Sequence, residues 1–224
     1  MSQPIVIAVD GTAASGKGTL AKKLAAHFGF PHLDSGALYR LTALGMLDAG
    51  GDPANAADAV KAAKTIDFTR AADPAIRTDA VGAAASKVAA VAGVRAALFD
   101  FQRDFVERPP GGATGAVVDG RDIGTVICPD ATAKLFVDAA PAVRAHRRWL
   151  ELKGMGIERD ERALEAELVA RDAQDRARAV SPLKQAADAA LLDTSNLGID
   201  AAFAAALALV EPKVRGQLEA KPRG

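Results

Sequence analysis

Apolar residues follow two rhythms along this chain. Ile5-Val6-Ile7-Ala8-Val9, Ala116-Val117-Val118, Lys134-Leu135-Phe136-Val137 and Leu191-Leu192-Asp193 are short, nearly unbroken runs, and Phe30-Pro31-His32-Leu33 is a shorter extended one. Such runs predict strands buried on both faces, as in a parallel sheet. Between them apolar positions recur at helical spacing: Leu20 and Leu24, the stretch Ala37 to Leu47, and then Arg77 to Val91 and Val94 to Val106. Further helices are predicted from Pro141, over about Asp160 to Arg178, and over about Asp200 to Leu218. Strands alternating with helices define an α/β protein. From about Gly50 to Gly115 the sequence turns alanine-rich and helical, with only Ile66-Asp67-Phe68 suggesting a strand, and Pro109-Pro110-Gly111-Gly112 ends it. This stretch reads as an inserted subdomain.

The first strand runs into Gly11-Thr12-Ala13-Ala14-Ser15-Gly16-Lys17-Gly18-Thr19, and the Leu20/Leu24 helix follows at once. Strand, glycine-rich turn, lysine and helix make the context of a phosphate-binding loop. The glycines let backbone N–H groups turn toward phosphate oxygens, the helix adds its positive N-terminal end, and Lys17 reaches the outer phosphates as a mobile point charge. Ser or Thr usually follows that lysine and meets magnesium; here Gly18 does, and Thr19 comes one residue later. Gly16-Lys17-Gly18-Thr19-Leu20-Ala21 also fits a dinucleotide fingerprint, which leaves Gly11 and Lys17 unused and wants a later acid, for which Asp34 is the nearest fit.

Other polar groups gather where predicted strands end. Asp34, Ser35, Tyr39 and Arg40 place an acid, a hydroxyl, an aromatic and a cation around one helix start, a ligand pocket if Asp34 or Ser35 is more than an N-cap. Asp119-Gly120-Arg121-Asp122 closes another strand. An acid there commonly helps to hold magnesium, so Asp119 and Thr19 are the metal candidates, while Arg121 and Asp122 read as an ion pair or a substrate clamp. Arg144, Arg147 and Arg148 share one helix face, and Arg171, Asp175 and Arg178 form a stripe on the next helix, with Gly154-Met155-Gly156 between. These are solvated faces or the two arms of a flap that closes over phosphates.

Composition narrows the choice. Lys+Arg and Asp+Glu each number 28 in 224 residues, so bulk charge gives no reason to expect nucleic-acid or membrane binding. One cysteine, Cys128, excludes an internal disulfide, and His27, His32 and His146 lack metal-ligand spacing. No signal peptide is apparent, and a cytoplasmic setting is expected.

These motifs, in this order, are similar to those of the bacterial cytidylate kinases, members of the nucleoside monophosphate kinases. The resemblance rests on Gly16-Lys17-Gly18-Thr19, Asp34 to Arg40, Ile76-Arg77-Thr78, Val94-Arg95, Asp119 to Val126, Arg144 to Arg148 and Arg171 to Arg178, which span almost the whole chain. It implies a three-layer P-loop kinase core with a five-stranded parallel sheet in a single domain, 1–224. A small, mostly helical monophosphate-binding insertion over 50–115 and a helical lid over 145–172 complete it. The insertion is expected to lack the β-hairpin of longer relatives, since Phe68 to Ala75 bridges that gap directly.

The resemblance further implies ATP-dependent, Mg²⁺-assisted phosphorylation of CMP and dCMP. ATP would be held by residues 11–19, and Lys17, Arg147, Arg148 and Arg171 would act on its phosphates. Asp34, Ser35, Tyr39, Arg40, Arg77, Arg95, Arg121, Asp122, Asp175 and Arg178 would bind the monophosphate. A monomer is expected, with small nucleotides as its partners. The rival readings are another P-loop small-molecule kinase, for uridylate or shikimate, and a nucleotide-dependent binding module.

Overall fold

The computed structural model describes residues 3–220. Five strands, β1 (Ile5–Gly11), β2 (His32–Asp34), β3 (Gly115–Gly120), β4 (Ala133–Asp138) and β5 (Ala190–Asp193), form one parallel sheet in the order β2-β3-β1-β4-β5. β1 is central, pairing in parallel with β3 from Ile5↔Gly115 to Asp10↔Gly120 and with β4 from Ile7↔Ala133 to Gly11↔Val137. All of β3 is buried, which explains an apolar run without polar alternation.

The chain divides into two compact units, residues 1–33 with 106–224, and residues 34–105. In the first, one face of the sheet packs on α1 (Lys17–Phe28) and α8 (Ile199–Glu219). Ile5, Ile7 and Val9 alternate along β1 onto this face and meet Leu20 and Leu24 of α1 and Ala202, Ala206, Val210 and Val214 of α8. Full burial of each large aliphatic side chain stabilises the fold by roughly 1.5–3 kcal/mol, and the alanines let α8 approach closely. α6 (Pro141–Gly154) and α7 (Glu161–Arg176) pair as a hairpin with a small core of its own, Ala145, Leu152 and Leu164, flanked by Trp149 and Leu168. α7 starts on Asp160, whose carboxylate accepts from Ala163 N–H at 2.7 Å. It ends at Arg176, so the expected stripe breaks: Arg178 lies beyond the helix.

The 34–105 unit is made of α2 (Ser35–Asp48), α3 (Ala56–Lys64), two 3-10 turns, α4 (Asp79–Ala90) and most of α5 (Ala92–Glu107). Its start differs from the sequence-based boundary of 50 because α2 packs on α3 and α4 and so joins the helical unit. Nor is there a strand at 66–68. Asp67 instead caps a 3-10 turn over Phe68–Ala72, accepting from Thr69 N–H at 3.0 Å, and Asp73 caps the next one. The bridge in place of a hairpin is therefore two consecutive Asp-capped turns. Among the described residues no single helix is long and apolar enough to cross a membrane.

Candidate active site

β1 ends where the phosphate loop begins, and β4 dictates the first glycine. Gly11 (φ +155°) lies so close to β4 that a Cβ would meet the Val137 carbonyl oxygen at 2.0 Å. Ala14 (φ 58°) and Gly16 (φ 88°) adopt left-handed conformations, and Gly16 is the N-cap of α1. Mixing left- and right-handed residues turns successive N–H groups toward a common centre, the geometry of an anion nest, next to the positive end of α1. Inside the loop, Ser15 Oγ and Lys17 Nζ both donate to the Thr12 carbonyl, at 3.0 and 3.3 Å. Thr12 Oγ1 donates to Asp138 Oδ1 at 2.6 Å, anchoring the loop to the end of β4.

Beside it stands the end of β3. Asp119 is buried and pairs with His32 Nε2 at 2.7 Å, while a Cβ on Gly18 would lie 3.6 Å from its other oxygen. The residue after the lysine therefore faces a carboxylate. Among the described residues no three His, Cys, Asp or Glu side chains gather into a metal cage. One carboxylate facing the loop, with the Thr19 hydroxyl on the first turn of α1, suits magnesium carried by a polyphosphate, which keeps most of its waters.

Arg121, Asp175 and Arg178 come together although 54 residues separate the first two. Arg121 Nε donates to Asp175 Oδ2 at 2.9 Å, and Arg178 pairs with Asp175 Oδ1. Burial pushes the Asp175 carboxyl up, but the charges of Arg121 and Arg178, the Arg121 hydrogen bond and the charge of Arg171 together outweigh it and hold the pKa below the usual carboxylate range. Asp122 is buried at the start of a one-turn π helix, Ile123–Ile127.

Sequence reasoning missed Asp10, which organises that turn. Its two oxygens accept from Ile123 N–H at 2.8 Å and Gly124 N–H at 2.7 Å, so the last acid of β1 holds the chain just after Asp122. Burial pushes its carboxyl from 3.8 up to about 7, with Asp122 adding to the rise and the two amides and Lys17 opposing it. Between these values the folded protein keeps a proton that the unfolded chain has released, so this group makes stability fall as pH rises from about 4 to 7. Urea unfolding at several pH values should show that slope in the parent and a flatter one in Asp10→Asn; equal slopes would remove Asp10 as its source.

The arginines expected on one face of α6 have separate partners. Arg144 is buried; Arg147 donates to the carbonyls of Thr194 (2.6 Å) and Leu197 (3.3 Å); Arg148 pairs with Glu151 at 2.9 Å. In the 34–105 unit, Asp34 is the N-cap of α2, accepting from Ala37 N–H at 3.1 Å, and Ser35 follows it, buried. Arg95 lies over the Tyr39 ring at 5.6 Å, and Arg40 Nη1 donates to the Ile76 carbonyl at 2.8 Å, bracing the turn that carries Arg77.

A parallel sheet with a lysine-bearing phosphate loop after its central strand, flanked by carboxylates and arginines at the strand ends, defines a P-loop kinase. Solved structures share the fold. A gluconokinase from Sinorhizobium meliloti 1021 aligns with a TM-score of 0.51 at 15% identity, over 99% of this chain and 100% of its own. An uncharacterized protein from Eubacterium ventriosum ATCC 27560 also gives 0.51 at 15%, over 92% and 98%. The particular family comes from sequence: the cytidylate kinase profile matches residues 7–212. A cytidylate kinase of Rhodopseudomonas palustris (strain TIE-1) is 55% identical over 207 residues, 92% of this chain and 96% of its own. Those of Afipia carboxidovorans (strain ATCC 49405 / DSM 1227 / KCTC 32145 / OM5) and Nitrobacter winogradskyi (strain ATCC 25391 / DSM 10237 / CIP 104748 / NCIMB 11846 / Nb-255) are 54% and 55% identical over the same length, covering 92% of this chain and 97% and 96% of theirs. The chain belongs to the cytidylate kinase family and is a phosphotransferase.

Proposed function

We propose that this chain transfers the γ-phosphoryl group of ATP to CMP and dCMP, giving CDP and dCDP, in cytoplasmic pyrimidine nucleotide metabolism and as a monomer. The observation that carries the reading is a phosphate loop built around Lys17 in the same compact unit as the Arg121–Asp175–Arg178 cluster. Residues 11–19 hold the ATP phosphates, and Lys17, Arg147, Arg148 and Arg171 are the cations assigned to the charge that develops on them. Arg147 and Arg148 have protein partners here, so that role requires them to exchange those partners for phosphate oxygens. Arg121, Asp122, Asp175 and Arg178 receive the pyrimidine nucleotide. In the 34–105 unit, Asp34, Ser35, Tyr39, Arg40, Arg77 and Arg95 bind the monophosphate, with Asp34 acting through the helix start that it caps. Asp119 and Thr19 are the side chains that would hold magnesium, which neutralises charge on the β- and γ-phosphate oxygens when bound.

The acceptor needs no general base. A nucleoside monophosphate has its second pKa near about 6 and is largely dianionic at neutral pH, so its oxygen is already a competent nucleophile. The obstacle is repulsion between two polyanions. Preorganised cations and loop amides lower it by orienting donor and acceptor in line and by stabilising the charge of the transferring group.

Production of ADP from ATP and Mg²⁺, with CMP, dCMP, UMP, AMP, GMP and shikimate offered separately, tests the assignment. Turnover with CMP and dCMP well above the others is expected; ATP binding with no turnover on any acceptor would favour a binding module. Asp122→Ala should narrow the preference for CMP over UMP by about tenfold, the scale of one lost base-reading hydrogen bond to a charged group. Unchanged selectivity would remove Asp122 from that role.

A further inference from the structure

Two buried side chains given no part in this chemistry meet on the phosphate loop. Arg144 in the first turn of α6 and Asp172 near the end of α7 form an ion pair at 2.6 Å, their side chains only 4% and 2% exposed. Together they hold both polar groups of one residue. Ala13 N–H donates to Asp172 Oδ1 at 3.1 Å, and the Ala13 carbonyl accepts from Arg144 Nη1 at 2.9 Å. Arg144 Nε also donates to the Ala139 carbonyl at 2.8 Å, which fixes the guanidinium against the turn between β4 and α6. The next residue is Ala14, whose left-handed backbone starts the nest. Further along, Thr194 Oγ1 donates to the Ser15 carbonyl at 3.0 Å, a second tie on the loop, from just beyond β5.

A buried ion pair adds little net stability once desolvation is counted. What this pair adds is direction, because it fixes two hydrogen bonds on a single loop residue, each from a different helix of the hairpin. We propose that Arg144 and Asp172 are positioning residues that set the Ala13–Ala14 backbone for phosphate binding and couple the α6–α7 hairpin to the loop. The inference rests on the reading of that loop as the ATP site. The hairpin is rooted on the loop through these two residues, so the loop holds its phosphate-binding shape only while both helices are seated. Occupancy of the loop in turn steadies the roots of both helices, since coupling between two sites is reciprocal.

Arg144→Lys and Asp172→Asn test this. Lysine gathers its donors on one nitrogen and cannot reproduce the spread of Arg144 Nε and Nη1 over Ala139, Ala13 and Asp172, and the asparagine amide can still accept from Ala13 N–H but meets Arg144 without charge. Each variant is expected to raise KM for ATP at least about tenfold while KM for CMP stays within about twofold, the size of a lost charge-assisted hydrogen bond confined to one site. Equal effects on both KM values, or none on either, would overturn the proposal. Failure of the parent to bind ATP would instead overturn the reading of the site. Hydrogen exchange on the parent protein needs no variant: a non-hydrolysable ATP analogue should slow exchange around residues 142–147 and 169–175 as well as in the loop, and slowing confined to the loop would refute the coupling.

Discussion

Lys17→Ala is expected to fold normally and to lose at least about a hundredfold in turnover with CMP, the scale seen when one positioned electrostatic stabiliser is removed. Lys17 sits at the start of α1, its ammonium held on the Thr12 carbonyl inside the loop. That bond keeps the side chain folded over the loop, where it can be released to a phosphate oxygen. The loss should fall on kcat more than on KM for CMP, because the charge matters most when the transferring group is detached from its donor. A folded Lys17→Ala protein with turnover close to the parent's would remove Lys17 from that catalytic role. Lys17→Arg should recover only part of the rate, since a planar guanidinium does not fill the place of a compact ammonium.

Replacing Asp175 should damage both stability and binding. Its carboxylate, with the side chain 2% exposed, is shared by Arg121 and Arg178. Removing one partner of a buried pair costs about 3–5 kcal/mol, because the remaining charges stay in a poorly solvated place. Asp175→Ala should therefore lower the urea midpoint sharply at unchanged m, and CMP affinity should fall because Arg121 and Arg178 no longer share an anchor. The folded-state pKa of Asp175 is held below its ordinary 3.8, so its contribution is fully present above that value and is lost as pH falls through the depressed one. The parent should show a steeper acid limb in its stability profile than Asp175→Ala. Identical limbs, or a midpoint shift of only a few tenths of a molar, would show that the cluster carries little weight.

The alternation of apolar runs and helical spacing was enough to place the β1–loop–α1 unit, β3, β4 and the C-terminal helix, because burial on both faces of a central strand leaves a local signature. The lysine, the Asp119–Asp122 run and the Asp175–Arg178 segment were legible for a similar reason: their residue types are unusual at strand and helix ends. What stayed hidden depends on pairs far apart in the chain. Ala13 meets Asp172 and Arg144, and Asp10 meets Ile123 and Gly124, across more than 100 residues. Periodicity could put Arg144, Arg147 and Arg148 on one face but could not say which carbonyl or acid each would find. Nor could the packing of α2 on α3 and α4 be read, because nothing in its composition distinguishes that from packing on the sheet. The extended segment expected at 66–68 failed on capping chemistry, since Asp67 satisfies the backbone as a turn.

The central position of β1 also sets the order in which the molecule is able to assemble during synthesis. β1 is made before both of its neighbours, β3 and β4, which lie beyond residue 114. At roughly 5–20 residues per second, the ribosome takes on the order of ten seconds to deliver them. The helical unit, by contrast, is contiguous in sequence and becomes complete within that interval. The nascent chain thus carries a finished helical module while the strand leading into its most chemically demanding loop still waits for partners, and the phosphate loop gains its shape only after β3 and β4 have been made.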